Sequence, residues 1–168
     1  WIQQELRYIR NAVEKGIPYL GICLGSQFLA KALGGRVYKG PCAEIGMMDI
    51  HTTAESRADP AFRNFPAALK VFEWHGEGIE VPKGSTILAS SADFPVQAFR
   101  YRRPAYGLLF HLELGRDGIE SLCRNCPEDL TKASLDSSRA LNESLPHLPL
   151  LQKLAEEVVR HVVAPSVS

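Results

Sequence analysis

The sequence has 168 residues, with 19 Lys or Arg and 19 Asp or Glu, so its formal net charge at pH 7 is zero. Hydrophobic residues make up 45% and charged residues 23%, which is ordinary for a globular protein and allows one domain with a sizeable core. This balance argues against binding nucleic acid through its phosphates. No apolar run reaches the ~20 residues of a membrane helix, and four cysteines are too few for a disulfide scaffold. No signal peptide is visible, so we predict a cytoplasmic protein with free thiols.

The first third of the sequence predicts a helix, a strand, a tight turn and a second helix. Apolar residues recur at helical spacing over residues 1–15, and a glycine follows them. Residues 17–23 form a short apolar run bounded by glycines, which is typical of a buried parallel strand. Residues 25–33 have helical character, and Gly34 and Gly35 end it. This alternation predicts an α/β fold.

The rest of the chain predicts short strands and then helices. Proline, glycine, aspartate and serine separate the strand-like runs, which are residues 36–38, 45–52, 69–74, 86–90, 97–102 and 107–112. One or two helical turns are expected in residues 58–65, and longer helices in residues 119–126, 130–145 and 148–163. We predict a single domain over residues 1–163, followed by a frayed tail at residues 164–168.

Cys23 lies where the first predicted strand meets a helix, with Gly21 and Gly25 two residues away on either side. A nucleophile on a sharp strand-to-helix turn has a strained backbone and needs small neighbours. The helix N-terminus favours the thiolate, and the N–H group of Leu24 would point to a developing oxyanion. A buried packing cysteine satisfies the same short pattern, so both interpretations stay open on this segment alone.

A general base and an orienting carboxylate are available far downstream of Cys23. His111 and Glu113 lie two residues apart at the end of the predicted strand 107–112, so their side chains should project to the same side. Glu113 can then hold one imidazole nitrogen while the other faces the sulfur. A structural histidine is the ordinary alternative for His111 alone, but the combination with the Cys23 turn predicts a Cys–His–Glu site.

Other patterns carry weaker signals. Cys123 and Cys126 have the C-x-x-C spacing of zinc and redox sites, but a zinc site needs a second pair, so we predict helix-borne cysteines and no metal. Arg100, Arg102 and Arg103 form a short basic run, which in a neutral chain predicts a solvated hairpin face. Neither a dinucleotide-binding glycine pattern nor a P-loop is present, so we predict no cofactor.

Several segments, in this order, resemble the class I glutamine amidotransferase family and its GMP-synthase-like subgroup. Residues 18–27 (PYLGICLGSQ) resemble the family's nucleophile segment, and residues 44–46 (EIG) match its E-I-G motif. Residues 73–77 (EWHGE) resemble the H-W-H-G-D stretch, and residues 111–113 (HLE) the H-L-E triad motif. The resemblance implies an α/β, flavodoxin-like fold with C-terminal helices.

The resemblance also implies that the γ-amide of glutamine is hydrolysed to glutamate and ammonia, without a cofactor. Cys23 would form a γ-glutamyl thioester, His111 would protonate the leaving ammonia and then activate water, and Glu113 would orient His111. Ammonia released in such a site would pass to a separate synthetase chain.

The resemblance assigns substrate binding to a further set of residues: Leu24, Gln27, Trp74, Gly76 and Glu77. Leu24 would contribute its N–H group to the oxyanion hole. Plainer alternatives stay open, because Gln27 could be solvated and Trp74 could belong to the core. His75 is expected to be a structural hydrogen-bonder rather than a catalyst.

The sequence departs from the subgroup at three positions near these motifs. Glu73 stands where the subgroup often has His, Glu77 where it has Asp, and Leu109 where many members have Gln. These differences leave thioester chemistry intact and leave the shape of the substrate pocket open.

The family's fold opens with a strand, a helix, a strand and a glycine-rich loop that completes the oxyanion hole. Residues 1–15 match the helix that directly precedes the nucleophile strand, so we expect a fold that lacks its first strands. We also expect this polypeptide by itself to be a poor or inactive glutaminase. Two alternative functions stay open, a γ-glutamyl peptidase or hydrolase with the same triad and a catalytically silent binding domain.

Overall fold

The computed structural model describes residues 1–102 and 104–163. The α-helices are α1 (Ile2–Glu14), α2 (Leu24–Ala32), α3 (Arg116–Asn125), α4 (Pro127–Lys132), α5 (Ser137–Ser144) and α6 (Leu148–Val163). The strands are β1 (Tyr19–Ile22), β2 (Arg36–Thr52), β3 (Ala68–Glu80), β4 (Ser85–Ser90), β5 (Ala98–Tyr101) and β6 (Ala105–Leu108), with a 3-10 helix at Glu55–Ala58. The predicted tail at residues 164–168 and Arg103 of the basic run lie outside the described residues.

The strands form one mixed sheet in the order β1-β6-β5-β4-β2-β3. β1 pairs with β6 in parallel, as predicted for a buried α/β strand, and the other neighbours are antiparallel. An isolated antiparallel bridge joins Phe72 of β3 to His111, which follows β6. The sheet is therefore curled enough for its last strand in this order to meet the segment that follows β6.

Helices cover both faces of the sheet. Adjacent residues of β5 point to opposite faces, and Ala98 packs in the cluster that includes α6, whereas Phe99 packs in the cluster that includes α1 and α2. The buried stripe of α6 runs through Leu151 and Leu154 at helical spacing, as the sequence predicts. α3, α4 and α5 enclose a third cluster against β2 and β3. None of the described helices is long and apolar enough to cross a bilayer.

The central hairpin is longer than the sequence predicts. The runs predicted at residues 36–38 and 45–52 belong to the single strand β2, which pairs with β3 along nearly its whole length. The pairing register shifts between Lys39 and Glu44. This irregularity explains why the local pattern indicates two strands, since the side-chain alternation is interrupted where the register changes.

Two other predicted boundaries are wrong. The strand predicted at residues 107–112 ends at Leu108, because the following backbone groups bond to other segments. The helix predicted at residues 130–145 is broken into α4 and α5. Ser134 has a left-handed φ of 52°, and the side chain of Asp136 accepts a hydrogen bond from the Arg139 amide to begin α5.

A buried carboxylate anchors the loop after β2 to the sheet. Asp59 is only 3% exposed. It accepts hydrogen bonds from the amide of Ala61 at 3.0 Å, Nε of Arg100 at 2.7 Å and the hydroxyl of Tyr106 at 3.1 Å. Because these donors belong to the loop, β5 and β6, the carboxylate links three segments that are distant in sequence.

We predict that Asp59→Ala lowers the free energy of unfolding by about 2–3 kcal/mol, because buried donors would lose their acceptor. Urea denaturation measures this change. Asp49→Ala is the control, since its pair with Lys70 lies on the surface and its loss should cost at most about 0.5 kcal/mol. Equal effects of the two substitutions would contradict the anchoring role of Asp59.

Candidate active site

A single residue makes the turn between β1 and α2. Cys23 has φ 49° and ψ −109°, a left-handed conformation that is strained for any residue other than glycine. Its amide donates to the Leu108 carbonyl at 2.8 Å, and its carbonyl accepts from the Ser26 amide at 3.0 Å. Strain held in place from both sides is typical of a nucleophile turn. The thiol therefore sits at the first turn of α2.

The two glycines that flank this turn differ in the space around them. A Cβ atom on Gly21 would lie 2.4 Å from the backbone of Gly25, so the close approach of β1 to α2 excludes any side chain there. A Cβ atom on Gly25 would meet nothing nearer than the Tyr19 hydroxyl at 3.8 Å. The expectation that both neighbours must be small thus holds for Gly21 and is wrong for Gly25.

His111 and Glu113 meet as the sequence predicts, although β6 ends before them. The imidazole Nδ1 of His111 lies 2.6 Å from Oε1 of Glu113, and the His111 amide donates to the Phe72 carbonyl at 2.8 Å. The imidazole is also a hydrogen-bond partner of the Cys23 thiol. Since Glu113 occupies Nδ1, Nε2 is the nitrogen left for the sulfur. The structure thus brings all three predicted residues together.

The surroundings of His111 favour its charged form. Burial lowers the pKa of its imidazole, but the hydrogen bonds with Cys23 and Glu113 outweigh burial and raise the pKa to about 9. Burial raises the pKa of Glu113, and the hydrogen bond with His111 outweighs it, so this pKa lies below its ordinary value. A cationic imidazole beside the sulfur is the arrangement that favours a reactive thiolate.

The residues predicted to bind substrate lie on two elements beside Cys23. Leu24, the first residue of α2, is exposed, and amides in the first turn of a helix are free to bind a ligand. Gln27 lies one turn further and is buried, so the alternative that it is solvated is wrong. On β3, Gly76 is half-buried and the Glu77 side chain is exposed.

Trp74 reaches both the nucleophile and the C-terminal helices. Its carbonyl lies 3.7 Å from Sγ of Cys23, its ring stacks on Phe72, and its indole N–H donates to Asp129 of α4 at 3.2 Å. A cavity of about 320 Å³ borders Trp74, Gly76 and Asp129. Sequence reasoning missed Asp129, because nothing local connects two residues that are 55 positions apart.

A second cluster of ionisable groups lies inside the protein beside β3. The His75 Nε2 atom lies 3.1 Å from Glu73 Oε2 and 3.3 Å from Glu44 Oε2, and all three side chains are buried. Nδ1 of His75 contacts the Glu77 carbonyl at 3.1 Å, so the expectation of a structural hydrogen-bonder is confirmed. The sequence marked Glu73 only as a departure from the subgroup and gave no sign of this contact.

The charges of this cluster are set by the same contacts. Burial lowers the pKa of His75, but the close contacts with the carboxylates of Glu44 and Glu73 raise it to about 10. Burial raises the pKa of Glu73 to about 7, and contacts with His75 outweigh burial to lower that of Glu44. The three donor atoms lie within 4.8 Å of one another, a set that could also hold a divalent cation. Within the described ranges Cys123 and Cys126 belong to no such group.

Comparison with known proteins gives consistent matches. Residues 2–120 match the family described as glutamine amidotransferase class-I. The glutamine-hydrolyzing GMP synthase subunit from Pyrococcus abyssi is 34% identical over 129 residues, which are 73% of this chain and 67% of that protein. The corresponding protein of Thermococcus kodakarensis is 40% identical over 122 residues, 68% of this chain and 63% of that protein.

The chain belongs to the class I glutamine amidotransferase family. It superposes on a solved glutamine amidotransferase from Thermotoga maritima with a TM-score of 0.88 and 33% identity, covering 96% of this chain and 69% of that one. A glutamine amidotransferase from Methylobacillus flagellatus gives a TM-score of 0.89 and 28% identity, covering 97% and 69%. The α/β, flavodoxin-like fold that the resemblance implied is thereby confirmed. The chain spans about two thirds of the length of these relatives.

The different surroundings of Gly21 and Gly25 beside the Cys23 turn give a testable prediction. Gly21→Ala should lower the urea midpoint of unfolding and slow alkylation of Cys23, because its methyl group would push β1 away from α2. Gly25→Ala adds a methyl group in open space and removes a helical glycine, so it should leave stability unchanged or raise it by up to about 1 kcal/mol. Equal losses in both variants would contradict the assignment of the close contact to Gly21.

Proposed function

We propose that the natural full-length protein hydrolyses the γ-amide of glutamine, with Cys23 as nucleophile, His111 as general acid and base, and Glu113 as the residue that orients His111. The observation that carries the proposal is the strained Cys23 turn, whose thiol is hydrogen-bonded to an imidazole held by a carboxylate. Family membership supplies the reaction class, since the chain is a class I glutamine amidotransferase.

In the first step, the sulfur of Cys23 attacks the amide carbon of glutamine and a tetrahedral intermediate forms. The amide of Leu24 donates to the oxyanion, because it lies at the N-terminus of α2 immediately after the nucleophile. The cationic imidazole of His111 gives its proton to the leaving nitrogen. Ammonia departs, and a γ-glutamyl thioester remains on Cys23.

In the second step, the now neutral imidazole of His111 accepts a proton from water, which attacks the thioester carbon. Collapse of the second tetrahedral intermediate breaks the carbon–sulfur bond, releases glutamate and restores the thiolate–imidazolium pair. Glu113 stabilises the imidazolium whenever it forms and keeps Nε2 towards the sulfur, since its carboxylate occupies Nδ1. Both steps use the same three side chains.

The substrate binds, in this proposal, between the first turn of α2 and β3. Trp74 and Gly76 border a cavity between β3 and α4, and Glu77 extends the same strand. The side chain of Gln27 is buried one turn after Cys23, where it would contact the bound glutamine. The backbone groups of these residues suit the polar ends of an amino acid, whereas the Trp74 ring suits its methylene chain.

We further propose that ammonia passes to a separate synthetase chain. This rests on relatives whose names describe them as glutamine-hydrolysing subunits of GMP synthase. The names do not identify the acceptor that this chain serves. A cytoplasmic location and a single domain over residues 1–163 complete the proposal.

Substitution of the triad tests the function in the natural full-length protein. Cys23→Ser and His111→Asn should each lower kcat for ammonia release from glutamine by about 10³-fold or more, because one removes the thiolate and the other the proton carrier. Cys42→Ser is the matched control, since Cys42 is exposed and should leave kcat unchanged. Turnover of γ-glutamyl peptides without turnover of glutamine would identify a γ-glutamyl hydrolase instead. A folded wild-type protein that hydrolyses neither substrate would support the silent domain.

Titration of His111 tests the charge of the triad. NMR of its imidazole should show a midpoint near pH 9 in the wild-type protein. Because this pKa is raised on folding, the pair stabilises the native state fully below about pH 6.5, and the contribution is lost as pH rises through about 9. Glu113→Gln should return the midpoint towards 6.5, whereas the exposed control Glu77→Gln should not. An ordinary midpoint in the wild-type protein would contradict the imidazolium assignment.

A further inference from the structure

β3 contacts both the proposed nucleophile and the proposed base through its backbone. The carbonyl of Phe72 accepts the His111 amide at 2.8 Å, and the carbonyl of Trp74 lies 3.7 Å from Sγ of Cys23. These carbonyls belong to residues two apart on one strand. A shift of this short segment would therefore change the position of both catalytic side chains.

The side chains between and after these carbonyls point into the protein. Glu73 is 0% exposed and His75 is 7% exposed, and both face Glu44 on the neighbouring strand β2. Glu44 and His75 are direct cross-strand partners in the register, so the contact joins two backbones as well as two side chains.

The cluster extends towards the segment that carries His111. The Gln97 side chain donates to Oε2 of Glu44 at 2.5 Å, and the Gln97 carbonyl accepts the Leu109 amide at 2.8 Å. Leu109 lies two residues before His111. The buried charges are thus connected to β2, β3 and the segment that follows β6.

Such a cluster is costly to bury. Both carboxylate oxygens of Glu73 lack a hydrogen bond of good geometry within the described residues, and burying a charged group without full pairing destabilises a protein. A glutamine or an apolar residue would carry a smaller penalty at this position. A carboxylate kept at this cost, on the strand that contacts Cys23 and His111, indicates a role beyond packing.

We propose that Glu73 is a positioning residue that, through His75 and Glu44, holds the Phe72–Trp74 segment of β3 and so sets the spacing of Cys23 and His111. The proposal rests on the proposed glutamine hydrolysis. Its physical basis is an imidazolium that lies within 3.3 Å of two carboxylates in a buried site, where the attraction between opposite charges is stronger than in water.

The test replaces Glu73 by Gln, which keeps the shape of the side chain and removes its charge. In the natural full-length protein, kcat for glutamine should fall about 10- to 100-fold, while KM should change less than twofold. A merely structural residue would lower the urea midpoint without this split between kcat and KM. The matched control is Glu80→Gln, on the same strand but exposed and outside the proposed site, and both of its constants should match the wild type.

A second readout does not require glutamine turnover. The rate at which iodoacetamide alkylates Cys23, followed by mass spectrometry, should fall several-fold in Glu73→Gln and stay unchanged in Glu80→Gln. Glu44→Gln offers an independent variant if Glu73→Gln does not fold, and the same losses are expected. If the two substitutions act on one cluster, the alkylation rate of the double variant should fall about as far as that of the more impaired single variant. Additive effects on the rate would contradict a joint action of Glu73 and Glu44.

The outcomes separate this inference from the proposed function. A wild-type protein that neither hydrolyses glutamine nor reacts with a diazoketone analogue of glutamine would overturn the proposed function, and the alkylation rates would still test Glu73. An active wild-type protein whose Glu73→Gln variant keeps kcat and alkylation rate would overturn this inference alone. Stoichiometric divalent metal in the purified wild type, lost in His75→Gln, would also overturn it, because the cluster would then be a metal site.

Discussion

The hydrogen bond from the His111 amide to the Phe72 carbonyl is the contact on which the site depends. β1 and β3 stand at opposite ends of the described strand order, so Cys23 and Phe72 would be far apart in a flat sheet. The twist and curl of the sheet remove this distance. The bond closes the curl immediately after β6, whose last residue, Leu108, holds the Cys23 amide. The short segment from Leu108 to His111 therefore carries the base and contacts both the nucleophile and β3.

This closure also accounts for how the strain at Cys23 is held. A left-handed non-glycine residue costs on the order of 1–3 kcal/mol, so the surrounding contacts must outweigh it. The backbone of Gly21 lies directly against that of Gly25, and the Tyr19 hydroxyl donates to the Gly25 carbonyl at 3.1 Å. Relaxing the turn would separate β1 from α2 and break these contacts. The strain at Cys23 is thus held by the close packing of β1 against α2 and by the hydrogen bonds of its own backbone.

The sequence predicts well those features that depend on neighbouring residues. α1, β1, α2 and α6 follow from local periodicity, and the two-residue spacing of His111 and Glu113 predicts their contact even though β6 ends before them. Sequence reasoning fails for features that depend on contacts between segments distant in the chain. The contact of Trp74 with Asp129 and the cluster around Glu73 join residues on different elements, and packing decides both. The break between α4 and α5 depends on one left-handed residue, Ser134, that propensity does not single out.

The His111–Glu113 pair and the His75 cluster contain the same types of side chain, but their surroundings give them different roles. In both, carboxylates raise the pKa of an imidazole that burial alone would lower. His111 contacts the sulfur, and its partner Glu113 has a side chain that is 41% exposed, so protons can pass to substrate and to water. The side chains of His75 and Glu73 are 2% and 0% exposed and contact no reacting atom. Such a charge can act on the reaction through the position of the backbone that carries it, which is the segment of β3 between Cys23 and His111. It also acts through space, because Glu73 attracts the imidazolium of His111.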